Sequence, residues 1–278
     1  NLFDAICHAF STVAIGGFSN HDASLGYFNS PLVNIVCTVF LLIAALNFSL
    51  HYAAVSSRSV KGYFKDPEFK AFFFIQATLI LICFLVLVLS GFYESAETAL
   101  DQAMIQAVSI STTAGFATTD FSVWPTFLPI LLIFSSFIGG CASSTGGGLK
   151  VVRVCLLFLQ GKREVDRLIH PKAVYAVKLG ERAMPDRVVE AVWGFFSAYA
   201  VVFVVLMVGL IATGLDNLSA FTATAAMLNN LGPGLGSVAS NYADVSDPGK
   251  WILVVGMVFG RLEVFSLLVL FSPTFWRS

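Results

Sequence analysis

Five stretches of this chain are apolar over lengths that water does not solvate: Pro31 to Ala54, Phe69 to Phe92, Trp124 to Phe158 with an interruption, Val188 to Thr213, and Trp251 to Phe275. A helix needs about 20 residues to cross a hydrocarbon core about 30 Å thick, and each stretch reaches that length. At that depth every backbone amide must be satisfied internally, so continuous apolar runs of this length become helices. The chain is therefore expected to be an all-α polytopic membrane protein with five crossings, the third broken. Composition agrees, with 57% hydrophobic and 12% charged residues, where soluble domains carry about 25% charged. Cys7, Cys37, Cys83, Cys141 and Cys155 fall in apolar segments with no close pair and no metal-ligand spacing, and read as reduced packing residues.

Charge placement orients the crossings, because cytoplasmic connections keep an excess of Lys and Arg. Arg58, Lys61, Lys65 and Lys70 lie between the first two spans, and a basic group from Lys150 and Arg153 to Arg182 and Arg187 lies between the third and fourth. Both connections are expected inside. Asp22, Glu94, Glu97, Asp101, Asp120, Asp216, Asp244 and Asp247 fall in the others, with Lys250 the sole base among them.

Those outer connections contain a repeat. STVAIGGFSNHD (Ser11 to Asp22) and STTAGFATTD (Ser111 to Asp120) are related by a shift of 98 residues, which also pairs Ala5 with Ala103, Gly17 with Gly115 and Ser24 with Ser122. A weaker third copy follows Asp216 as NLSAFTATAAMLNNLGPGLGS, read with Gly232 in register with Gly16 and Ala225 with Ala9. Each copy opens on an apolar helical stretch of about three turns, too short to cross, so it is expected to dip in and return. Its non-helical part then needs something other than lipid to solvate its carbonyls, and partly dehydrated cations do so. The competing reading is an ordinary extracellular turn at each Gly-Phe or Gly-Pro pair.

At these residues the chain resembles the Trk/Ktr/HKT superfamily of potassium transporters, most closely its TrkH-type bacterial membrane subunits. The three phrases resemble the second, third and fourth filter loops of that family, over essentially the whole chain. The resemblance implies four units of helix, re-entrant pore loop and helix (M1-P-M2) around a pseudo-fourfold ion pore. The first unit and the outer helix of the second are expected to be absent here, since the chain opens at Asn1 in mid-motif. The expected division is 1–57 for the second unit, 58–168 for the third with its broken inner helix, and 169–278 for the cytoplasmic connection and fourth unit.

The resemblance further implies potassium held by backbone carbonyls at Thr12, Val13, Ala14, Ile15 and Gly16, at Ser111, Thr112, Thr113, Ala114 and Gly115, and at Leu228, Asn229, Asn230, Leu231 and Gly232. No loop carries the TVGYG phrase of strict potassium channels, so sodium is expected to be rejected less completely. The implied activity is gated, channel-like potassium uptake across the bacterial inner membrane, with no catalysis, no cofactor, no nucleic acid, and potassium as the only metal.

The third span is interrupted by FIGGCASSTGGGLK, Phe137 to Lys150. Each Gly disfavours helix by about 1 kcal/mol relative to Ala, so Gly139, Gly140, Gly146, Gly147 and Gly148 are expected to unwind it. The resemblance makes this segment, with Lys150, a flexible gate beneath the filter. The alternative is a small-residue patch for close helix packing. Arg261 and Glu263 share the fifth span, where a charge is expected to face a cavity or a partner. The two point about 200° apart on a helix. The resemblance assigns Arg261 to the pore as an electrostatic barrier, with Glu263 toward a neighbouring helix or subunit. The alternative is an ion pair that packs the bundle.

Two other classes remain open on the residues. An ion-coupled secondary transporter uses broken helices around a midplane site, though its repeats are inverted rather than parallel. An intramembrane serine hydrolase could use Ser143 or Ser144, but would need a base at the same depth, with Lys150 the nearest. His8, His21, His51 and His170 show no ligand spacing. The basic connection QGKREVDRLIHPKAVYAVKLGERAMPDR suffices as a positive-inside anchor with a short surface hairpin. The resemblance adds a homodimer in membrane lipid and a cytosolic nucleotide-binding regulatory partner of TrkA type.

Overall fold

The computed structural model describes residues 1–262, 264–270, 272, 273 and 275–277. In chain order its helices are α1 (Leu2–Val13), α2 (Pro31–Ala44), α3 (Phe48–Ser57), α4 (Lys61–Lys65), α5 (Pro67–Leu89), α6 (Ala96–Ser111), α7 (Leu128–Ser136), α8 (Val151–Ile169), α9 (Asp186–Ala212), α10 (Asn217–Leu228), α11 (Asp247–Arg261) and α12 (Val264–Leu270). The protein is a mostly helical membrane protein. Helices α5 and α9, of 23 and 27 residues, are each long and apolar enough to cross a bilayer, and only 28% and 17% of their apolar windows are buried against the rest of the chain. The remaining surface of those windows is suited to lipid.

Helix starts follow local chemistry. Asp66 accepts the Phe69 amide at 2.8 Å and Pro67 occupies the first turn of α5, Ser95 accepts the Thr98 amide at 3.0 Å to begin α6, and Asp216 accepts the Ser219 amide at 3.1 Å to begin α10. These bonds from Ser219 hold the Asp216 carboxyl below its ordinary range.

The short helices α6 and α10 are the enclosed ones. Every residue from Ile105 to Ser111 is buried, as are Ser219, Ala220, Thr222 to Ala226 and Leu228. Ala99, Ala103 and Ala107 let α6 pack closely on α5 and α7, through Leu79, Cys83, Leu128 and Leu132. A second core joins α2 to the other side of α6 through Leu41, Phe72, Val108 and Phe116.

Three expected spans are interrupted. The first, Pro31 to Ala54, is bent by 90° between α2 and α3, because two side-on bonds replace the helical ladder. The Ser49 amide donates to the Asn47 side chain at 2.9 Å, and the Ala45 carbonyl accepts the Cys141 amide at 2.8 Å. The third divides into α7 and α8, with no helix through 138–150, so the glycine patch is an unwound loop rather than a helix-packing stripe. The fifth divides at Leu262 into α11 and α12; Glu263 lies outside the described residues. The basic connection contains the expected hairpin, Lys178–Leu179 paired antiparallel with Arg182–Ala183. All five cysteines are free.

Candidate functional site

Helices α1, α6 and α10 end at Val13, Ser111 and Leu228, and each is followed by the same backbone event. The second residue beyond the helix takes a positive φ, at Ile15 (50°), Thr113 (68°) and Asn230 (57°). Two residues further comes a glycine with positive φ, at Gly17 (68°), Gly115 (87°) and Gly232 (103°). The amides of Ile15, Thr113 and Asn230 donate back to Thr12, Ile110 and Met227 at 3.1, 3.0 and 3.1 Å. A left-handed non-glycine residue costs about 1–2 kcal/mol, so its recurrence at three equivalent places marks an imposed geometry. The torsions correct the register of the third copy: Gly232 corresponds to Gly17 rather than Gly16, and Ala225 to Phe10 rather than Ala9.

The three loops stand edge to edge in sequence order. A Cβ added to Gly17 would overlap the Ala114 carbonyl, and one added to Gly115 would overlap the Leu231 carbonyl, whereas at Gly232 nothing among the described residues lies within 4 Å. The first two loops are also stitched together by the Gly26 amide on the Ala117 carbonyl at 3.2 Å and the Ala117 amide on Ser24 Oγ at 3.3 Å.

Side chains hold each loop from behind. Asn229, fully buried, accepts from Tyr199 Oη at 2.6 Å and donates to Ser136 Oγ at 2.9 Å. Ser111 donates to Gln76 Oε1 at 2.8 Å, and Ser109 to the Phe116 carbonyl at 2.7 Å. Tyr242 donates to the Gly232 carbonyl at 2.7 Å, and burial raises its phenol pKa, so it remains a donor at neutral pH. Around the first loop, Asp4 accepts from Asn20 at 2.6 Å, His8 bonds Ser19 Oγ at 2.9 Å, and His21 stacks on Tyr27 with ring centroids 3.6 Å apart.

The loop between α7 and α8 lies directly against the C-terminal ends of these helices. Thr145 Oγ1 donates to the Val13 carbonyl at 3.3 Å, and the Gly147 amide to Thr113 Oγ1 at 2.6 Å. A Cβ at Gly146 would sit 2.9 Å from the Thr112 carbonyl, and one at Gly147 would overlap the Asn229 carbonyl. Arg261, at the end of α11, donates to the Thr145 carbonyl at 3.3 Å. Lys150 donates to the Gly146 carbonyl and, at 3.3 Å, to the Ser144 carbonyl. The structure thus brings together the glycine loop, Lys150, Arg261 and the C-terminal ends of the short helices of all three copies. Lys150 Nζ is also 3.4 Å from Ser144 Oγ.

Similarity to known proteins agrees with this arrangement. A family model described as TrkH, cation transport protein, matches residues 1–278. The chain belongs to the TrkH family. It is 66% identical over 278 residues to the Trk system potassium uptake protein TrkH of Vibrio parahaemolyticus, covering 99% of this chain and 57% of that protein. It is 60% identical to the TrkH of Escherichia coli K12, covering 100% of this chain and 58% of that protein. The crystal structure of the potassium transporter TrkH from Vibrio parahaemolyticus superimposes with a TM-score of 0.96 at 65% identity, covering 100% of this chain and 60% of that one. The chain therefore spans somewhat over half the length of the TrkH relatives it matches. Those relatives are transport proteins rather than enzymes.

Three features of the site were not read from the sequence. The side chain of Asn229 is a tether to α7 and α9, where only its carbonyl had been considered. His8 and His21, set aside for lack of spacing, brace one loop together with Asp4. Glu68, just before the second apolar stretch, accepts the amides of Ala142 in the glycine loop and Val152 in the first turn of α8. The register of Gly17, by contrast, had a sequence signal, since the 98-residue shift already pairs it with Gly115.

Proposed function

We propose that this chain forms three of the four walls of a potassium-conducting pore used for uptake across the bacterial inner membrane. The observation that carries the reading is the edge-to-edge array of three loops with the same pair of left-handed residues, the glycines of the first two each seated on the next loop's carbonyl. Consecutive carbonyls arranged around one centre replace the hydration shell of a cation without placing a full charge in the path. With the register corrected, the candidate carbonyls in the first loop run from Val13 to Gly16, beside Ser111 to Ala114 and Leu228 to Leu231.

The short helices α1, α6 and α10 are the re-entrant pore helices of the second, third and fourth M1-P-M2 units, at 1–57, 58–168 and 169–278. The open space at Gly232, where Gly17 and Gly115 each meet a neighbouring carbonyl, is where a further loop would close the ring. The glycine loop from Phe137 to Lys150 obstructs the path beneath the filter, with the Arg261 guanidinium adding an electrostatic barrier to cations. In the whole protein the subunit pairs as a homodimer in membrane lipid, and its basic cytoplasmic face receives a TrkA-type regulatory ring.

Flux of potassium and of sodium into liposomes containing the full-length protein tests the reading. Potassium flux exceeding sodium flux, and lowered selectivity when Gly17 or Gly115 is replaced, is the expected result. Equal permeation by both cations in the native protein would overturn the filter assignment.

A further inference from the structure

The glycine loop breaks a helical span, and a break leaves amides without partners at both of its edges. Helix α8 begins at Val151 with no side-chain cap of its own: its N-cap residue is Lys150, at φ 78°, a residue with no acceptor to offer. Distant groups satisfy these amides instead. The Val151 amide donates to the Gly140 carbonyl at 3.0 Å. The Val152 amide donates to Glu68 Oε1 at 3.1 Å, and the same oxygen accepts the Ala142 amide at 2.7 Å. Glu68 is buried, 5% exposed, in the first turn of α5. One carboxylate oxygen therefore serves as the N-cap of α8 in trans and as the anchor of the loop's opposite limb, 10 residues apart in sequence. A carboxylate at a helix N-terminus is doubly favoured, by the hydrogen bond and by the helix dipole.

We propose that Glu68 is a positioning residue that clamps the two limbs of the glycine loop together and so keeps the loop in its obstructing arrangement. This inference rests on the reading of that loop as the obstruction. Between the clamped limbs, Ser143 to Lys150 carries the contacts to Val13, Thr113 and Arg261. Rearrangement of that apex into an open form separates the limbs and breaks the shared acceptor. Removing the carboxylate favours the open form, while a neutral acceptor of the same reach retains part of the restraint.

The test compares Glu68→Ala, Glu68→Gln and Glu68→Asp in the full-length protein, each with and without deletion of Gly146 to Gly148. Potassium flux into liposomes and the melting temperature of the purified protein are measured. Loss of two hydrogen bonds to a charged acceptor shifts a closed-to-open ratio by about tenfold or more. Glu68→Ala is expected to raise flux by about that factor, with Gln giving a smaller rise and Asp, one methylene short, lying between. In the deletion background the same substitutions are expected to add nothing. Unchanged flux in Glu68→Ala at native melting temperature, with the deletion alone raising flux, would overturn the clamp and leave the obstruction standing. No rise on deletion itself would overturn the obstruction, and the clamp with it. If Glu68→Ala does not fold, amide hydrogen exchange in Glu68→Gln decides: faster exchange at Ala142 and Val152 supports the clamp, and native protection at both overturns it.

Discussion

Replacing Gly17 and its neighbour Gly16 by alanine, one at a time, separates two registers of the filter that differ by a single residue. At Gly17 the backbone has φ +68° and the new Cβ would overlap the Ala114 carbonyl, with the Ala114 carbonyl carbon 2.8 Å away. The torsion alone costs about 1–2 kcal/mol. The overlap is with backbone of the adjacent loop, so no rotamer change relieves it, and forced displacement adds about 1–3 kcal/mol. The total is about 2–5 kcal/mol on these terms, enough to push the two loops apart. At Gly16 the nearest atom is Phe18 Cδ2 at 3.3 Å, the backbone is not left-handed, and Phe18 is 82% exposed and free to swing. An alanine there is expected to change stability by about 0.5 kcal/mol or less. Potassium and sodium flux in liposomes and the melting temperature of the purified full-length protein are the readouts. Gly17→Ala should lose potassium preference or flux, and Gly16→Ala should retain both. A damaged Gly16→Ala beside a native-like Gly17→Ala would refute the edge-to-edge packing from which the register is drawn.

Deleting Gly146 to Gly148 should raise potassium flux in the same liposomes, and equal flux before and after would show that the loop does not obstruct. Arg261→Ala removes the bond to the Thr145 carbonyl and the positive charge beside the loop; flux should rise, with Arg261→Lys changing it much less, because the barrier depends on charge more than on shape. A fall in yield and melting temperature without a gain in flux would instead assign Arg261 a packing role. Tyr199→Phe leaves the buried Asn229 Oδ1 without its 2.6 Å donor, which costs about 1–3 kcal/mol; a melting temperature equal to the native one would show that this tether carries no stability.

Patterns set by neighbours in the chain were legible before any coordinates. Hydropathy alone defined the two uninterrupted crossings, α5 and α9, because the thickness of a bilayer converts directly into a run of apolar residues. The glycines from Gly139 to Gly148 announced the break between α7 and α8, since helix propensity is a local property. The 98-residue shift exposed the relation of α1 to α6 and paired Gly17 with Gly115, because matching backbone geometry needs matching residues at matching places. The third copy has few identities left, so its register was misread until the torsions at Asn230 and Gly232 aligned it.

Only the tertiary structure decided which distant groups meet. The 90° bend after α2 depends on the Ala45 carbonyl turning to an amide of the glycine loop, and no residue near Ala45 signals that acceptor's fate. Glu68 looks like any first-turn acid until Ala142 and Val152 are folded onto it. Asn229 has the composition of a loop residue until Tyr199 and Ser136 close around its amide. In each case one or two hydrogen bonds between segments far apart in sequence decide the outcome. Chain periodicity carries no information about such bonds, because it reports which face of an element is apolar and not which polar atom on another element will lie opposite it.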